Sequence, residues 1–352
     1  MKRISSLLSI LLCTTYFSFG QHATKQIDSI AKSFHQKHPD ISMSIGFIKD
    51  NQEYYTAYGN LSKESSIKVN KNSVFEIASI TKIFTMNLIA QAVLENKLQL
   101  SDYIDAYLPK EYRLHKNIQQ KITISDLASH QSGIPDIDFA ALIAQNPQQP
   151  TSMVTSKTLA TLVNNCESLI DYGTYRYSTI GYALLGKILE NVYGKSYQEI
   201  LEDKLTTLLQ LTNTLTTDFE LPNTTVGYNA EGGKQEFFTW NVVAPAGLVK
   251  SSTADLITYI KSVLDKDTMI GKAALQTELL FYKDANRAMG LGLMIVKDDN
   301  NTLYLKSGDS MGQSSMLCYN SAKNWGIVIL LNHRNHELRN AMLSTIYETV
   351  LK

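Results

Sequence analysis

Phe75-Glu-Ile-Ala-Ser79-Ile-Thr-Lys82 opens the stretch that decides the fold, and the apolar run Ile83-Phe-Thr-Met-Asn-Leu-Ile-Ala-Gln-Ala-Val-Leu94 continues it. Apolar residues at 80, 83, 84, 88, 92 and 93 recur near the 3.6-residue period of an α-helix and predict a buried helix. Ser79 falls where this helix begins, a position that suits a hydroxyl. Lys82 follows three residues later and therefore shares its face of the helix.

This serine–lysine pair suits nucleophilic catalysis. A lysine that loses its water shell also loses proton affinity and can act as a base toward a hydroxyl. Amide N–H groups at a helix start favour negative charge there. Two further Ser-x-x-Lys matches begin at Ser29 and Ser65, but they lie on a polar-faced helix and in a polar connector. A helix cap with a nearby lysine is the alternative interpretation of any single match.

Composition and the N-terminus indicate an exported globular protein. The 352 residues are 44% hydrophobic with a formal net charge of zero, so a large core is expected and nothing favours nucleic acid or an anionic membrane surface. Lys2 and Arg3 precede an apolar stretch over 4–19, and small residues at 18 and 20 predict a signal peptide cleaved after Gly20. The stretch is short for a membrane span. We therefore expect a periplasmic or secreted protein with no integral span after cleavage.

Cysteines and histidines give no sign of a metal centre. Signal cleavage removes Cys13, and we interpret Cys166 and Cys318 as two buried thiols, although a disulfide is the alternative in an oxidising compartment. The histidines, His115 and His130 among them, have no metal-ligand spacing. No cofactor and no metal are expected.

The order of predicted elements indicates an α+β fold. Strands are predicted over 41–48, 54–58, 289–296, 302–307, 314–319 and 326–331, and helices over 26–37, 83–94, 122–130, 158–165, 179–193, 197–208, 251–264 and 336–351. This order predicts one antiparallel sheet built from both chain ends, flanked by helices, with an inserted all-helical domain. We place the α/β portion with its central sheet at 21–99 and 241–352, and the inserted helical portion at 100–240.

Two further clusters carry chemistry. Tyr177 precedes a predicted helix, and a tyrosine whose phenolate is stabilised by neighbouring lysines can shuttle a proton. A core ring with a bonded hydroxyl is the alternative. Lys306-Ser307-Gly308 ends a predicted strand, where a lysine could hold a substrate carboxylate and a glycine permits close backbone approach.

A competing motif overlaps the last cluster. Gly308-Asp-Ser310-Met-Gly312 matches the Gly-x-Ser-x-Gly nucleophile elbow, which requires a following helix and the order serine, acid, histidine. The residues after Gln313 predict a strand instead, and no Asp or Glu lies between Ser310 and His336. The elbow is therefore the less favoured hypothesis.

Together these motifs resemble the serine β-lactamase and penicillin-binding protein superfamily, most closely its class C β-lactamase, DD-peptidase and family VIII esterase branch. Residues 75–82 are similar to the first motif of that branch, 177–179 to the second and 306–308 to the third. Residues 122–135 resemble its helix-and-turn, and 245–256 a later segment. The resemblance covers about 40 to 335, in order.

The resemblance implies a catalytic role for each motif. Ser79 would be the acylated nucleophile, Lys82 and Tyr177 would share the acid–base work, and Lys306 would steer the Tyr177 proton and the substrate carboxylate. The backbone N–H groups of Ser79 and Asp309 would form the oxyanion hole.

It also implies substrate contacts at Thr179, Ser307, Gly308 and Asp309. Two of these depart from the family pattern. Thr179 stands where the second motif usually ends in Asn, and a hydroxyl offers one donor rather than two. Asp309 adds an acid near the site of an anionic substrate and would weaken its attraction to Lys306, unless the side chain points away. Both departures count against efficient β-lactam turnover.

We therefore expect a serine hydrolase that cleaves an amide or ester bond through an acyl-serine, either a β-lactamase-like esterase or a D-alanyl peptidase. The substrate would be a small molecule or a fragment derived from peptidoglycan. A true class C-type β-lactamase is one alternative. A non-catalytic cell-wall sensor related to penicillin-binding proteins is the other.

Overall fold

The computed structural model describes residues 22–217, 220–298 and 300–352 of the chain. The predicted signal peptide, 1–20, lies outside the described residues. The α-helices are α1 (22–37), α2 (Thr81–Leu94), α3 (Ile124–Ala128), α4 (Phe139–Gln145), α5 (Ser156–Asn164), α6 (Thr179–Tyr193), α7 (Tyr197–Leu201), α8 (Ala244–Gly247), α9 (Thr253–Leu264), α10 (Met269–Thr277) and α11 (His336–Ile346). Each of them is too short or too polar to cross a membrane.

One antiparallel sheet joins the two ends of the chain. The strands are β1 (Met43–Lys49), β2 (Gln52–Tyr58), β3 (Phe75–Glu76), β4 (Gly227–Tyr228), β5 (Lys234–Gln235), β6 (Lys250–Ser251), β7 (Tyr282–Lys283), β8 (Ala288–Met289), β9 (Met294–Lys297), β10 (Thr302–Asp309), β11 (Ser314–Asn320) and β12 (Trp325–Leu331). Within the described residues the main sheet has eight strands in the order β2-β1-β12-β11-β10-β9-β8-β7. The predicted α+β fold, with its sheet built from both chain ends, is confirmed.

The central strands are buried on both faces, because helices cover each side. Alternate residues of a strand point to opposite faces: Ile327 and Ile329 pack in the core beneath α1 and α11, whereas Val328 and Leu330 pack in the larger core shared with α2 and α9. Helix α9 approaches β12 so closely that a Cβ at Gly326 would lie 2.5 Å from Ile260 Cγ2. Such uniform burial explains why β12 is a continuous apolar run.

Helix α2 runs through the middle of the larger core. Twelve of its fourteen residues are buried, as expected for a helix that is apolar on nearly all sides. It contacts α6, α8 and α10, so the Ser79–Lys82 segment at its start is held on a rigid support. The predicted buried helix is confirmed.

Several predicted element ends differ from the observed ones for local reasons. The strand predicted over 289–296 is split into β8 and β9 by a turn at 290–293, and the helices predicted over 197–208 and 336–351 continue beyond α7 and α11 as π-helical turns, Glu202–Thr206 and Tyr347–Leu351. Helix α9 begins at Thr253, because Ser252 accepts the N–H of Asp255 and caps it.

The inserted region between residues 100 and 240 is not all-helical as predicted, because its helices and loops are joined by the two-residue ladder of β4 and β5. Strands this short show no alternation in sequence. Tyr228 attaches the ladder to the main sheet by donating its N–H to the carbonyls of Gly312 and Asn332. The domain boundaries at 99/100 and 240/241 stay a prediction. Cys166 and Cys318 are both buried free thiols, which confirms that interpretation.

Candidate active site

The nucleophile candidate lies in a tight turn between a short strand and α2. Strand β3 pairs with β6, and Ala78–Ile80 then form a 3₁₀ turn before α2 begins at Thr81. Ala78 adopts φ +45°, a backbone conformation that costs a non-glycine residue on the order of 1 kcal/mol. Ser79 therefore precedes the α-helix, and its hydroxyl faces Tyr177 instead of serving as the predicted helix cap.

Lys82 lies beneath this serine in the first turn of α2. Its side chain is only 1% exposed, and Nζ lies 3.5 Å from Ser79 Oγ and 2.6 Å from the carbonyl oxygen of Ala246. Burial lowers the pKa of Lys82 from 10.5 to about 7, and the carboxylate of Asp136 opposes part of that shift. A large fraction of Lys82 is therefore a neutral amine at neutral pH.

Tyr177 reaches the same hydroxyl from the start of α6. Its phenol oxygen lies 2.6 Å from Ser79 Oγ, and Lys82 Nζ and Lys306 Nζ each lie 4.8 Å from the centre of its ring. The next residue, Ser178, caps α6 by accepting the N–H of Gly181, which fixes where Tyr177 leaves the helix. The structure thus brings together Ser79, Lys82, Tyr177 and Lys306 from three separate parts of the chain.

Lys306 is buried behind Tyr177. It projects from β10, and burial lowers its pKa, with the charge of Lys82 acting in the same direction and Tyr177 opposing it. Only 8% of Lys306 is exposed. Its position suits an electrostatic effect on the Tyr177 phenol more than direct contact with a large substrate group.

Strand β10 also passes close to Ser79. A Cβ at Gly308 would lie 2.8 Å from Ser79 N and would strike the carbonyl of Ile77, so this position requires glycine. Ser310 donates its N–H to the carbonyl of Gln313 across the hairpin. Because amides alternate along an antiparallel strand, the N–H of Asp309 points the other way. This geometry is compatible with an oxyanion hole made by the Ser79 and Asp309 amides.

The family model described as "Beta-lactamase" matches residues 27–349. The protein belongs to the β-lactamase family. This match confirms the predicted membership of the serine β-lactamase and penicillin-binding protein superfamily.

Curated relatives of this β-lactamase-family protein include two differently named proteins. Protein flp of Staphylococcus aureus (strain MW2) is 27% identical over 325 residues, and the match covers 88% of this chain but only 63% of flp. The chain thus spans about 63% of the length of that relative. A "Beta-lactamase" of Lysobacter lactamgenus is 24% identical, with 88% of this chain and 87% of that protein covered.

Solved structures share the fold. A class C β-lactamase superposes with a TM-score of 0.81 at 19% identity, covering 94% of this chain and 97% of that one. A β-lactamase/D-alanine carboxypeptidase from Pseudomonas syringae gives 0.80 at 20% identity, covering 94% and 100%.

The acid that departs from the family pattern is neutralised by a partner. Asp309 Oδ1 lies 2.7 Å from Arg339 Nη1 and accepts a hydrogen bond from Ser314 Oγ at 2.6 Å. Arg339 projects from α11, is only 4% exposed in its side chain, and also donates to the Gly308 carbonyl at 3.2 Å. The predicted weakening of substrate attraction by Asp309 is therefore largely removed.

Thr179 lies in the first turn of α6. Asp136, which belongs to none of the sequence motifs, caps the N-terminus of this helix. Asp136 accepts the N–H groups of Thr179 at 2.7 Å and Ile180 at 3.0 Å through its two carboxylate oxygens. A carboxylate at a helix N-terminus is stabilising. Asp136 follows Gly133-Ile-Pro135 in sequence, but 43 residues separate it from Thr179, so no local pattern could reveal the cap.

A cleft of about 190 Å³ opens beside Ser79. Thr179 and Asp309 line it, whereas Ser307 and Gly308 lie on the adjoining part of β10 outside its lining. Its apolar wall is formed by Phe139, Ile143, Phe238, Val243 and Leu248.

Arg334 also lines the cleft, although it belongs to none of the sequence motifs. Its side chain is exposed and forms no ion pair with any described carboxylate. Its Nη1 lies 3.8 Å from Met311 Sδ.

The competing nucleophile elbow does not have the required geometry. Ser310 is buried in the turn between β10 and β11, and its Oγ accepts the N–H groups of Gly312 and Gln313. Strand β11 follows where the elbow needs a helix. Within the described part of the chain, no group of three His, Cys, Asp or Glu side chains could hold a metal ion.

Proposed function

We propose that this member of the β-lactamase family is a serine hydrolase that cleaves an ester or amide bond through an acyl-Ser79 intermediate. One observation carries the proposal: Ser79 Oγ lies 2.6 Å from the Tyr177 phenol and 3.5 Å from an amine whose pKa burial lowers to about 7. A hydroxyl between two such groups has a base ready to accept its proton.

The proposed reaction uses these groups in order. Ser79 Oγ attacks the substrate carbonyl carbon while its proton passes to the Tyr177–Lys82 pair, and the amides of Ser79 and Asp309 stabilise the resulting oxyanion. The carbon–oxygen or carbon–nitrogen bond then breaks, and the leaving group takes the proton. Water next attacks the acyl carbon and gives up a proton to the same pair. The bond between the acyl carbon and Ser79 Oγ then breaks, the pair returns its proton to Ser79 Oγ, and the acid leaves.

The cleft supports a substrate with an apolar part and an anionic group. Phe139, Phe238 and Leu248 provide apolar surface, and Arg334 provides an accessible guanidinium that can bind a carboxylate with two parallel hydrogen bonds. Lys306 is too buried to be the main contact for that carboxylate. A carboxylate-bearing ester or a D-alanyl peptide fits this description.

The central test is labelling with a fluorescent fluorophosphonate. The wild-type protein should be labelled, Ser79→Ala should not, and Ser310→Ala serves as the matched control that keeps its label. Equal labelling of wild type and Ser79→Ala, with both proteins folded, would contradict the proposal.

A β-lactamase is the second candidate, supported by the similarity to the Lysobacter lactamgenus β-lactamase. Thr179, with one donor where the family pattern has a two-donor amide, favours the esterase or peptidase. Rapid hydrolysis of nitrocefin without hydrolysis of p-nitrophenyl esters would reverse that order.

A non-catalytic sensor is the third candidate. Two observations count against it: the contact between Ser79 and Tyr177, and the burial of Lys82. Ligand binding without any acyl-enzyme in a mass spectrum would support the sensor.

We also propose export to the periplasm or the medium. The support is the N-terminal sequence: Lys2 and Arg3, the apolar stretch 4–19 and small residues before Gln21. N-terminal sequencing of protein secreted by an expressing cell should begin at Gln21; a start at Met1 would contradict this proposal.

A further inference from the structure

We propose that His130 is a positioning residue that holds Tyr177 against Ser79. Its carbonyl oxygen accepts the N–H of Arg176 at 2.7 Å, and its ring Nδ1 accepts the N–H of Ser178 at 3.1 Å. One residue therefore fixes the backbone on both sides of Tyr177. This inference rests on the proposed function, in which Tyr177 moves a proton of Ser79.

The segment that carries His130 supports the whole loop before Tyr177. Beyond the two contacts of His130, Gln131 accepts the N–H of Gly173 at 2.9 Å and Gly133 accepts that of Ile170 at 2.8 Å. His130 itself has φ +63°, in the left-handed region that Asn and Gly adopt more readily than most residues. This conformation ends α3 and turns both acceptors of His130 toward the loop.

The ring of His130 packs directly on Tyr177. The two ring centres are 4.6 Å apart, and the Tyr182 ring lies 5.1 Å from the same imidazole. Burial, and then the charges of Lys306 and Lys82, lower the pKa of His130 well below 6.5. A neutral imidazole keeps Nδ1 as an acceptor for Ser178, and it adds no further positive charge beside the two lysines.

Tyr177 needs such support because 42% of it is exposed. Packing alone holds only part of the ring, yet its hydroxyl lies 2.6 Å from Ser79 Oγ. Displacement of a catalytic group by about 1 Å costs about 10²-fold in rate. A residue that fixes the neighbouring backbone would prevent such a displacement.

The test compares variants that separate the backbone conformation from the side-chain acceptor. His130→Gly keeps the left-handed conformation but loses Nδ1 and the ring, whereas His130→Asn keeps both that conformation and a side-chain acceptor. His115→Ala is the matched control, because His115 Nδ1 also accepts a backbone N–H, that of Asn117 at 3.3 Å. The readouts are the rate of Ser79 labelling by a fluorophosphonate and the kcat and KM of a p-nitrophenyl ester, at a temperature below every melting transition.

We expect His130→Gly to lower the labelling rate and kcat about 10²-fold with little change in KM. His130→Asn should stay within about tenfold of wild type, and His115→Ala should equal wild type. A wild-type rate in His130→Gly, or an equal loss in His130→Asn and His130→Gly, would overturn the proposal. Loss of labelling in Ser79→Ala in the same series shows separately that the proposed function holds.

A double-mutant cycle distinguishes positioning from general stability. If His130 acts through Tyr177, then His130→Gly should cost little further activity in a Tyr177→Phe background, because coupled residues are not additive. A full additional 10²-fold loss in that background would show that His130 does not act through the phenol.

Discussion

The acylation rate should depend on pH through Lys82. The environment of Lys82 lowers its pKa from 10.5 to about 7. At pH 7 about half of the molecules therefore hold a neutral amine, whereas an exposed lysine is neutral in only about one molecule in three thousand. In the proposed reaction the deprotonated form acts as the base, so the rate should rise about tenfold per pH unit below pH 7 and level off above it.

The assay is the second-order rate of fluorophosphonate labelling between about pH 5 and 9, chosen because the reagent itself does not titrate there. Lys82→Arg places a permanently charged group at the site and should lower the plateau by about three orders of magnitude. The control is Lys187→Arg, since Lys187 lies on α6 in an ion pair with Glu190. A rate that is flat from pH 6 to 8, or an unchanged profile in Lys82→Arg, would refute the assignment of Lys82 as the base.

Three further substitutions test the same site. The pKa of Lys82 is lower in the folded protein, so the unfolded chain binds more protons between pH 7 and 10.5 and the free energy of unfolding rises with pH across that window. Lys82→Met should remove this pH dependence and raise the melting temperature at pH 7. Urea and thermal unfolding would measure both effects. Gly308→Ala puts a methyl group 2.8 Å from Ser79 N and should lower kcat about 10²-fold or more. The same change at exposed Gly233, whose backbone is outside the left-handed region, should not; a wild-type kcat in Gly308→Ala would exclude the oxyanion assignment. Arg334→Ala should raise KM about tenfold or more for an ester that bears a carboxylate and leave the uncharged analogue unchanged, with exposed Arg113→Ala as control; equal effects on both esters would remove Arg334 from carboxylate binding.

The features that could be predicted from the sequence are those set by residues close together in the chain. Ser79 and Lys82 are three residues apart on one helix, so their proximity follows from helix geometry alone. Strand β12 and helix α2 were predictable because burial on all sides leaves a long apolar run in the sequence. The ladder of β4 and β5 was not, since two-residue strands carry no period.

Contacts between distant segments could not be derived from the sequence. Asp309 and Arg339 are 30 residues apart in the sequence, so no local pattern predicts the ion pair that changes the charge near Ser79. The cap that Asp136 gives α6, the support that His130 gives Tyr177 and the place of Arg334 in the cleft likewise depend on the tertiary fold. The resemblance placed Tyr177 and Lys306 beside Ser79, and only the structure shows that Lys306 is buried.

We expect Ser79 to carry the acyl group. The most direct test of this expectation is the mass of the protein, and of its peptides, after acid quenching during turnover of a p-nitrophenyl ester. We predict one acyl group per molecule on the peptide that contains Ser79, and none in Ser79→Ala. An acyl group on Ser310, or undiminished ester turnover by Ser79→Ala, would contradict the account.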